Sequence, residues 1–308
     1  KDIELAHERI RPFIHRTPIL TNSSLNELVG ANLFFKCENF QKAGSFKIRG
    51  ATNTVELLSE SELKRGVATT SSGNHGAALS MAVTRRGGET KVVMPTNTPK
   101  IKVNNVIRNG GEVVWCEPDQ KFRESVLREV VNETGATVVH PYNDERIMAG
   151  QGTCAKEMLE DIPTLDIIVS PVSGGGLLSG TLVASKNMKN SIKVFGAEPD
   201  EADDAFQSLK HGKIIPNKTI NTVCDGLRAE IGSKTFPVIQ DLVDGIETVS
   251  EKDILESLRM IWERMKIIVE PSCSISLAMV IKNSNLFKNK NVGLIMSGGN
   301  VNLNSLLW

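Results

Sequence analysis

From about residue 67 the chain alternates short β-branched runs with amphipathic stretches, and this alternation limits the possible folds more than any other feature. The pattern predicts a strand over 67–72 and a helix over 73–86, then a strand over Thr90–Pro95 and a helix over Lys100–Arg108. Residues 112–117 and 122–135 repeat the unit, and a strand over 137–142 closes the series. A second series predicts a strand over 166–172, a glycine loop, a helix over 177–189 and a strand over 192–198. A helix over 252–264 and a last strand over 292–297 follow. Strand, helix, strand at this interval requires right-handed crossovers and parallel pairing. The expected fold is therefore α/β, with two mostly parallel sheets flanked by helices and a cleft between them where chemistry belongs. No repeat, low-complexity segment or long linker separates the two series, so the domains intertwine. The expected division is 1–66 with 145–308 as a large domain and 67–144 as a small one.

Charge and composition exclude several classes. Lys plus Arg and Asp plus Glu are 36 each, a zero net charge that argues against a nucleic-acid reader. No apolar run approaches the roughly 18–20 residues that span a bilayer. The five cysteines, Cys37, Cys116, Cys154, Cys224 and Cys273, are far apart and never in C-x-x-C spacing. They read as reduced thiols of a cytoplasmic protein, not as a disulfide frame or a zinc site.

The clearest local signal is Ser173-Gly174-Gly175-Gly176-Leu177, set between an apolar strand and an amphipathic helix. Glycines there let backbone N–H groups approach an anion, and the helix N-terminus adds about half a positive charge. A phosphate group is the natural guest. A dinucleotide fold is the rival, since Gly174 and Gly176 begin a G-x-G-x-x-G run and Glu198 ends the next strand, but Ser179 occupies the third glycine position. A tight turn without ligand is the third reading.

Three more segments carry chemistry. Ser45-Phe46-Lys47-Ile48-Arg49-Gly50 places one lysine among small and apolar neighbours, where reduced hydration lowers proton affinity and suits Schiff-base formation. Ser71-Ser72-Gly73-Asn74-His75-Gly76 joins a strand to a helix and offers hydroxyls, an amide and free N–H groups to a carboxylate. A helix-capping serine followed by a turn glycine explains the same residues without a ligand. Ser297-Gly298-Gly299-Asn300 ends the buried strand before it.

Together these segments resemble the second fold type of pyridoxal-phosphate enzymes (tryptophan synthase β-like), in its serine racemase and serine/threonine dehydratase branch. The resemblance runs nearly the whole chain. It includes Arg16-Thr17-Pro18, Phe35-Lys36-Cys37-Glu38-Asn39, Ala149-Gly150-Gln151-Gly152-Thr153 and Glu270-Pro271-Ser272. It implies that Lys47 holds pyridoxal phosphate as a Schiff base and that Ser173, Gly174, Gly175, Gly176 and Leu177 cradle the phosphate. Asn74 would bond the ring hydroxyl and Ser297 would face the ring nitrogen. A neutral hydroxyl there favours reprotonation or β-elimination over transamination. Racemisation needs an acid or base on each face of Cα; the resemblance assigns these to Lys47 and Ser72. Ser71, Ser72, Asn74 and His75 would seat the substrate, with Arg123 nearby.

The resemblance also assigns a Mg2+ site, or Ca2+ or Mn2+, to Glu198, the Ala202 carbonyl and Asp204. An acidic helix start explains the same residues without a metal. Lys42, Lys266 and Asn300 match an ATP effector site, although Ala77 departs from its pattern. A homodimer is implied as well. Tyr142 and the pair Arg228-Ala229 lean towards relatives that dehydrate threonine or threo-3-hydroxyaspartate, the alternative to L-serine racemisation with pyruvate-forming elimination. With no segment after Trp308, the expectation is against the long, isoleucine-inhibited dehydratases. His7, His15, His140 and His211 lack metal spacing, and Cys273 reads as a buried thiol.

Overall fold

The computed structural model describes residues 1–71, 73–118 and 120–304. Both strand–helix series form, each around its own sheet. β1 (Ile19–Leu20), β2 (Asn32–Cys37), β7 (Ile167–Pro171), β8 (Lys193–Pro199), β9 (Gly245–Val249) and β10 (Asn291–Met296) make a six-stranded sheet in the order β1-β2-β10-β7-β8-β9. β3 (Val67–Thr70), β4 (Thr90–Pro95), β5 (Gly111–Cys116) and β6 (Thr137–Val138) make a four-stranded sheet in the order β5-β4-β3-β6. Every pair is parallel except β1 with β2. The last strand in sequence, β10, lies at the centre of the larger sheet, paired with β2 on one side and β7 on the other.

Parallel strands covered by helices on both faces read as continuous apolar runs rather than alternating ones. β7 is buried at all five positions and β10 at five of six. The helix Pro271–Lys282, apolar around most of its circumference, is correspondingly buried along nearly its whole length. It packs with Phe35, Val169 and Leu294 into the core on one face of the larger sheet. Met158, Leu178 and Ile295 belong to the core on the other face.

The Ala149–Thr153 motif acts through packing. The helices Lys47–Glu56, Glu145–Asp161 and Gly176–Met188 meet at glycines, so their backbones approach without side chains between them. A Cβ on Gly152 would lie 2.7 Å from the Gly180 carbonyl oxygen, and one on Gly180 would lie 2.4 Å from that of Met148. Gln151 adds a side-chain bond, its Oε1 accepting from Gly50 N at 3.1 Å.

Two predicted elements end early. The strand expected over 137–142 stops at Val138. Pro141 has no N–H to give a ladder, and the His140 ring turns the chain by accepting from Asn143 N at 3.0 Å. The helix expected over 252–264 is α-helical over Glu251–Met260 and widens into a π turn over Ile261–Met265, after which Lys266 adopts φ 59°. Among the described residues no helix is long and apolar enough to cross a membrane.

Candidate active site

Ligands of open α/β sheets gather at the carboxyl ends of the strands, and this chain places its chemistry there in both sheets. Ser71 follows β3, Pro141 and Tyr142 lie beyond β6, the glycine loop follows β7, and Ser297 follows β10. Lys47 opens the helix Lys47–Glu56 and reaches across to this meeting point. Its Nζ donates to the Pro141 carbonyl at 3.1 Å and lies 5.1 Å from the Phe46 ring centroid. The side chain keeps some surface on the cleft, yet its amine is enclosed. Burial lowers its pKa to about 8, and the charge of Glu270 offsets part of that effect.

The segment before Lys47 is fastened to the end of β10. Ser45 bridges Gly298, Phe46 N donates to the Ser297 carbonyl at 3.0 Å, and Gly299 N donates to the Gly44 carbonyl at 2.9 Å. Gly298 has no room for a side chain, because a Cβ would lie 2.4 Å from Glu270 Oε1. Ser297 and Lys47 are thus brought to one place.

The glycine loop continues this wall. Gly175 takes φ +89° before the helix Gly176–Met188, whose first-turn N–H groups have no partner within the helix. A Cβ on Gly174 would fall 2.4 Å from the Tyr142 ring, so this ring rests directly on the loop. Lys47, Pro141, Tyr142 and Gly174 therefore form one contiguous wall. The Ser173 hydroxyl is engaged by its own backbone surroundings, donating to Ala229 O and accepting from Ala229 N. Leu177 is buried in the first turn of the helix.

In the loop after β3, Ser71 Oγ accepts from Gly73 N at 3.2 Å and from Gly76 N at 2.9 Å, which is the capping role open to it from the sequence. Asn74 Nδ2 donates to Glu270 Oε1 at 2.7 Å, while its Oδ1 accepts from Asn300 Nδ2 at 2.9 Å. His75 is buried with Nε2 3.3 Å from Val139 O. Burial and the Lys47 charge lower its pKa to about 3, so this imidazole is neutral. Ser72 lies outside the described residues. Arg123 stands beside Cys116 of the edge strand β5, with its Nε buried and unpartnered.

Glu198 is the penultimate residue of β8. Its carboxylate accepts from Ala205 N at 3.0 Å and Phe206 N at 2.7 Å. Asp204 accepts from Asn217 Nδ2 at 2.9 Å and Ile231 N at 2.6 Å. Glu198, Ala202 and Asp204 are all buried. Burial, then the neighbouring Asp204 charge, raises the Glu198 pKa well above the carboxylate range, and burial raises that of Asp204 to about 7. Among the described residues no three His, Cys, Asp or Glu side chains converge as metal ligands. Lys266 and Asn300 line a separate groove of 490 Å³ with Phe40 and Ile268, and Lys42 is not part of that lining.

Two site residues, Glu270 and His140, have roles that the sequence does not show. Glu270, present in the Glu-Pro-Ser run, bonds Asn74 and influences Lys47; burial, then the Asp225 charge, raises its pKa to about 7. His140 stacks edge-on against Tyr142 at 4.6 Å. Only position in three dimensions exposes these roles, although Glu270 lies within the Glu270-Pro271-Ser272 run. Cys273 is buried and its thiol pKa is raised by burial, as expected.

The sequence profile of the family described as pyridoxal-phosphate dependent enzyme matches residues 10–298. The chain is 51% identical to the serine racemase of Arabidopsis thaliana over 99% of its own length and 93% of that protein. It is 47% identical to the beta-hydroxyaspartate dehydratase of Paracoccus denitrificans over 100% of this chain and 98% of that protein. The structure of maize serine racemase superposes with a TM-score of 0.96 at 44% identity, covering 98% of this chain and 94% of that one.

Proposed function

The chain belongs to the pyridoxal-phosphate dependent enzymes, and from that premise we propose that it is a serine racemase that also eliminates water from serine to give pyruvate and ammonia. The observation that carries this reading is Lys47, whose amine has a pKa of about 8 where the carboxyl ends of the two sheets meet. The surroundings fit the cofactor. The glycine loop offers unpaired N–H groups at a helix start, the enclosed lysine amine suits an aldehyde, and Ser297 supplies a hydroxyl without a negative charge. Lys47, Asn74, Ser297 and residues 173–177 would hold pyridoxal phosphate. When bound, it supplies a conjugated ring that stabilises negative charge at Cα.

The chain's own residues then move the proton. A lysine amine with a pKa near 8 is unprotonated in a usable fraction close to neutrality and can take the Cα proton on one face. Ser72 is proposed to deliver a proton on the other face, on the strength of its place in the Ser71–His75 motif. Ser71, Asn74 and His75 orient the substrate acid, and neutral His75 can donate or accept a hydrogen bond but adds no charge. Arg123 is proposed as a more distant contributor.

Glu198, the Ala202 carbonyl and Asp204 are proposed to hold Mg2+, or Ca2+ or Mn2+. Two buried carboxylates with raised proton affinity lack a countercharge, and a hard divalent cation with water ligands would supply one. Asp204 accepts from Ile231 N, and Gly232 N donates to the Gly174 carbonyl at 3.2 Å, so the ion would steady the glycine loop. Residues 67–144 are proposed as the small domain and 1–66 with 145–308 as the large one. A homodimer is proposed from Phe40, Ile268 and Leu303, which are exposed around the groove of Lys266 and Asn300. That groove is proposed to admit ATP as an effector, with Lys42 nearby. The five buried free thiols suit a cytoplasmic setting.

One test decides the main reading. Purified protein is incubated with L-serine, pyridoxal phosphate and Mg2+, while D-serine is followed by chiral chromatography and pyruvate by a coupled assay. Both products are expected. Pyruvate without D-serine would replace the racemase with a dehydratase. The Paracoccus relative and the Tyr142 ring against the glycine loop favour that second reading, with threonine and 3-hydroxyaspartate as its substrates.

A further inference from the structure

The glycine loop does not set its own shape. Gly174, Gly175 and Gly176 have no side chains to restrict the backbone, so the loop by itself has a wide choice of conformations. An anion is gripped well only if the peptide N–H groups already face it, so a residue outside the loop must fix how each peptide is turned. Thr235 is placed to do this. It lies 61 residues from Gly174 and is fully buried at the start of the helix Thr235–Leu242.

Its hydroxyl is aimed at one atom of the loop. Thr235 Oγ1 donates to the Gly174 carbonyl at 2.7 Å, a shorter contact than the 3.1 Å to Gly232 O that competes for the same proton. Gly232 N donates to Thr235 Oγ1 at 3.0 Å and to the Gly174 carbonyl at 3.2 Å, so two donors hold that oxygen. In a trans peptide the carbonyl and the N–H that follows it point in opposite directions. Turning the Gly174 carbonyl towards Thr235 therefore turns the Gly175 N–H away from it. Ile231 and Phe236, on either side of Thr235, belong to the hydrophobic core, so the N–H faces out of the core. Gly175 fits closely against the same hydroxyl: a Cβ there would lie 2.7 Å from Thr235 Oγ1. The segment that carries Thr235 is itself held from three directions. Asn143 Oδ1 accepts from Lys234 N at 2.7 Å, Asp204 accepts from Ile231 N at 2.6 Å, and Thr235 O accepts from Ser179 Oγ at 3.2 Å. Thr235 can thus set the loop instead of following it.

We propose that Thr235 is a positioning residue for the phosphate of pyridoxal phosphate: it holds the peptide between Gly174 and Gly175 so that the Gly175 N–H is presented to the anion before it binds. The assignment rests on the cofactor reading above and goes beyond it by naming what sets the cradle. Without the hydroxyl this peptide is free to turn and bring its carbonyl oxygen, a partial negative charge, towards the phosphate. The effect is confined to the phosphate end, because Thr235 touches neither Lys47 nor Ser297.

Titration of the cofactor-free protein with pyridoxal phosphate, pyridoxal and inorganic phosphate separates the two ends. Thr235→Val keeps the shape and removes the donor. It is expected to weaken binding of pyridoxal phosphate and of inorganic phosphate by about tenfold each, while pyridoxal, which lacks the phosphate, binds as it does to the unaltered chain. Thr235→Ser restores the affinity. Thr235→Cys, a weak donor of similar size, falls between the two and takes the place of Thr235→Val if that variant does not fold. Equal weakening of all three ligands would make Thr235 a packing residue only and overturn the assignment. Undiminished binding of pyridoxal phosphate in Thr235→Val would overturn it while the cofactor reading stands. If the unaltered chain binds inorganic phosphate, loses it in Thr235→Val and forms no visible adduct with pyridoxal phosphate, the cofactor reading fails and the role of Thr235 towards a phosphate stands. A chain that binds neither phosphate ligand would overturn both.

Discussion

Gly150 packs against Gly50 backbone to backbone, with the space for a Gly150 Cβ only 2.5 Å from the Gly50 Cα. The helix that begins with Lys47 is set by this contact, because Gly50 lies one turn further along it. Gly150→Ala must push the two helices apart. The expected result is a loss of about 1–3 kcal/mol of stability, with kcat for L-serine falling as Lys47 shifts from the cleft. Thermal melting and kinetics of the same preparation check both effects. Unchanged stability would mean that the helices do not meet this closely.

The proposed role of Lys47 has a consequence for stability. Its pKa is about 8 folded, against 10.5 for a free lysine. The unfolded chain then binds more protons between those values, so in the cofactor-free protein this group makes stability rise with pH from about 8 to 10.5. Lys47→Met removes the buried charge. It is expected to stabilise the cofactor-free protein near pH 7 by up to about 3 kcal/mol, a gain that vanishes as the pH approaches 10.5. The same variant should lose the visible absorbance of bound pyridoxal phosphate, and activity should fall by a factor of at least about 10² to 10⁴. Retained absorbance and activity would remove Lys47 from the chemistry.

Ser72 is tested by the ratio of products. With a proton donor on one face only, Ser72→Ala is expected to lose D-serine formation by about 10²-fold or more while keeping part of pyruvate formation. Chiral chromatography beside the pyruvate assay reads both. Equal loss of the two products would leave Ser72 without a separate role.

Asp204 gives the metal site a pH signature. A carboxyl raised from 3.8 to about 7 in the folded state contributes stability that is full below pH 3.8 and lost as the pH rises through 7. Metal-free protein should therefore gain stability through this group on acidification from pH 8. Mg2+ at a hundredfold excess over its Kd should add about 2.7 kcal/mol at pH 8 and less at pH 6, where protons compete. Asp204→Asn should abolish that response. A melting temperature indifferent to Mg2+ at both pH values would exclude the site.

The sequence alone reveals the two strand–helix series, because parallel strands buried on both faces and amphipathic helices leave patterns in neighbouring residues. β4 and the helix Lys100–Arg108 coincide with their predicted bounds. Lys47, the glycine loop and Ser297 stand out as candidates because each sits in a short distinctive segment, although the loop taken alone also suits a dinucleotide or a turn without ligand. The strand expected over 137–142 ends early for a local reason: His140 and Pro141 turn the chain there, and Lys47 bonds the Pro141 carbonyl.

Other features depend on residues far apart in the chain, and only the tertiary structure decides them. Arg49 looks like any cation near Lys47 until β2 and the helix Glu145–Asp161 enclose it. It then bonds Glu38 at 2.7 Å and Glu157 at 2.8 Å, with Lys36 completing a fully buried network. Glu270 bonds Asn74 across 196 residues, and Lys102 meets Asp225 across 123. Periodicity and turn chemistry are properties of adjacent residues, so sequence determines the sheets and points to Lys47 as the candidate lysine. A charge takes its meaning from the partners and burial that folding brings to it, so the electrostatics of the cleft belong to the fold.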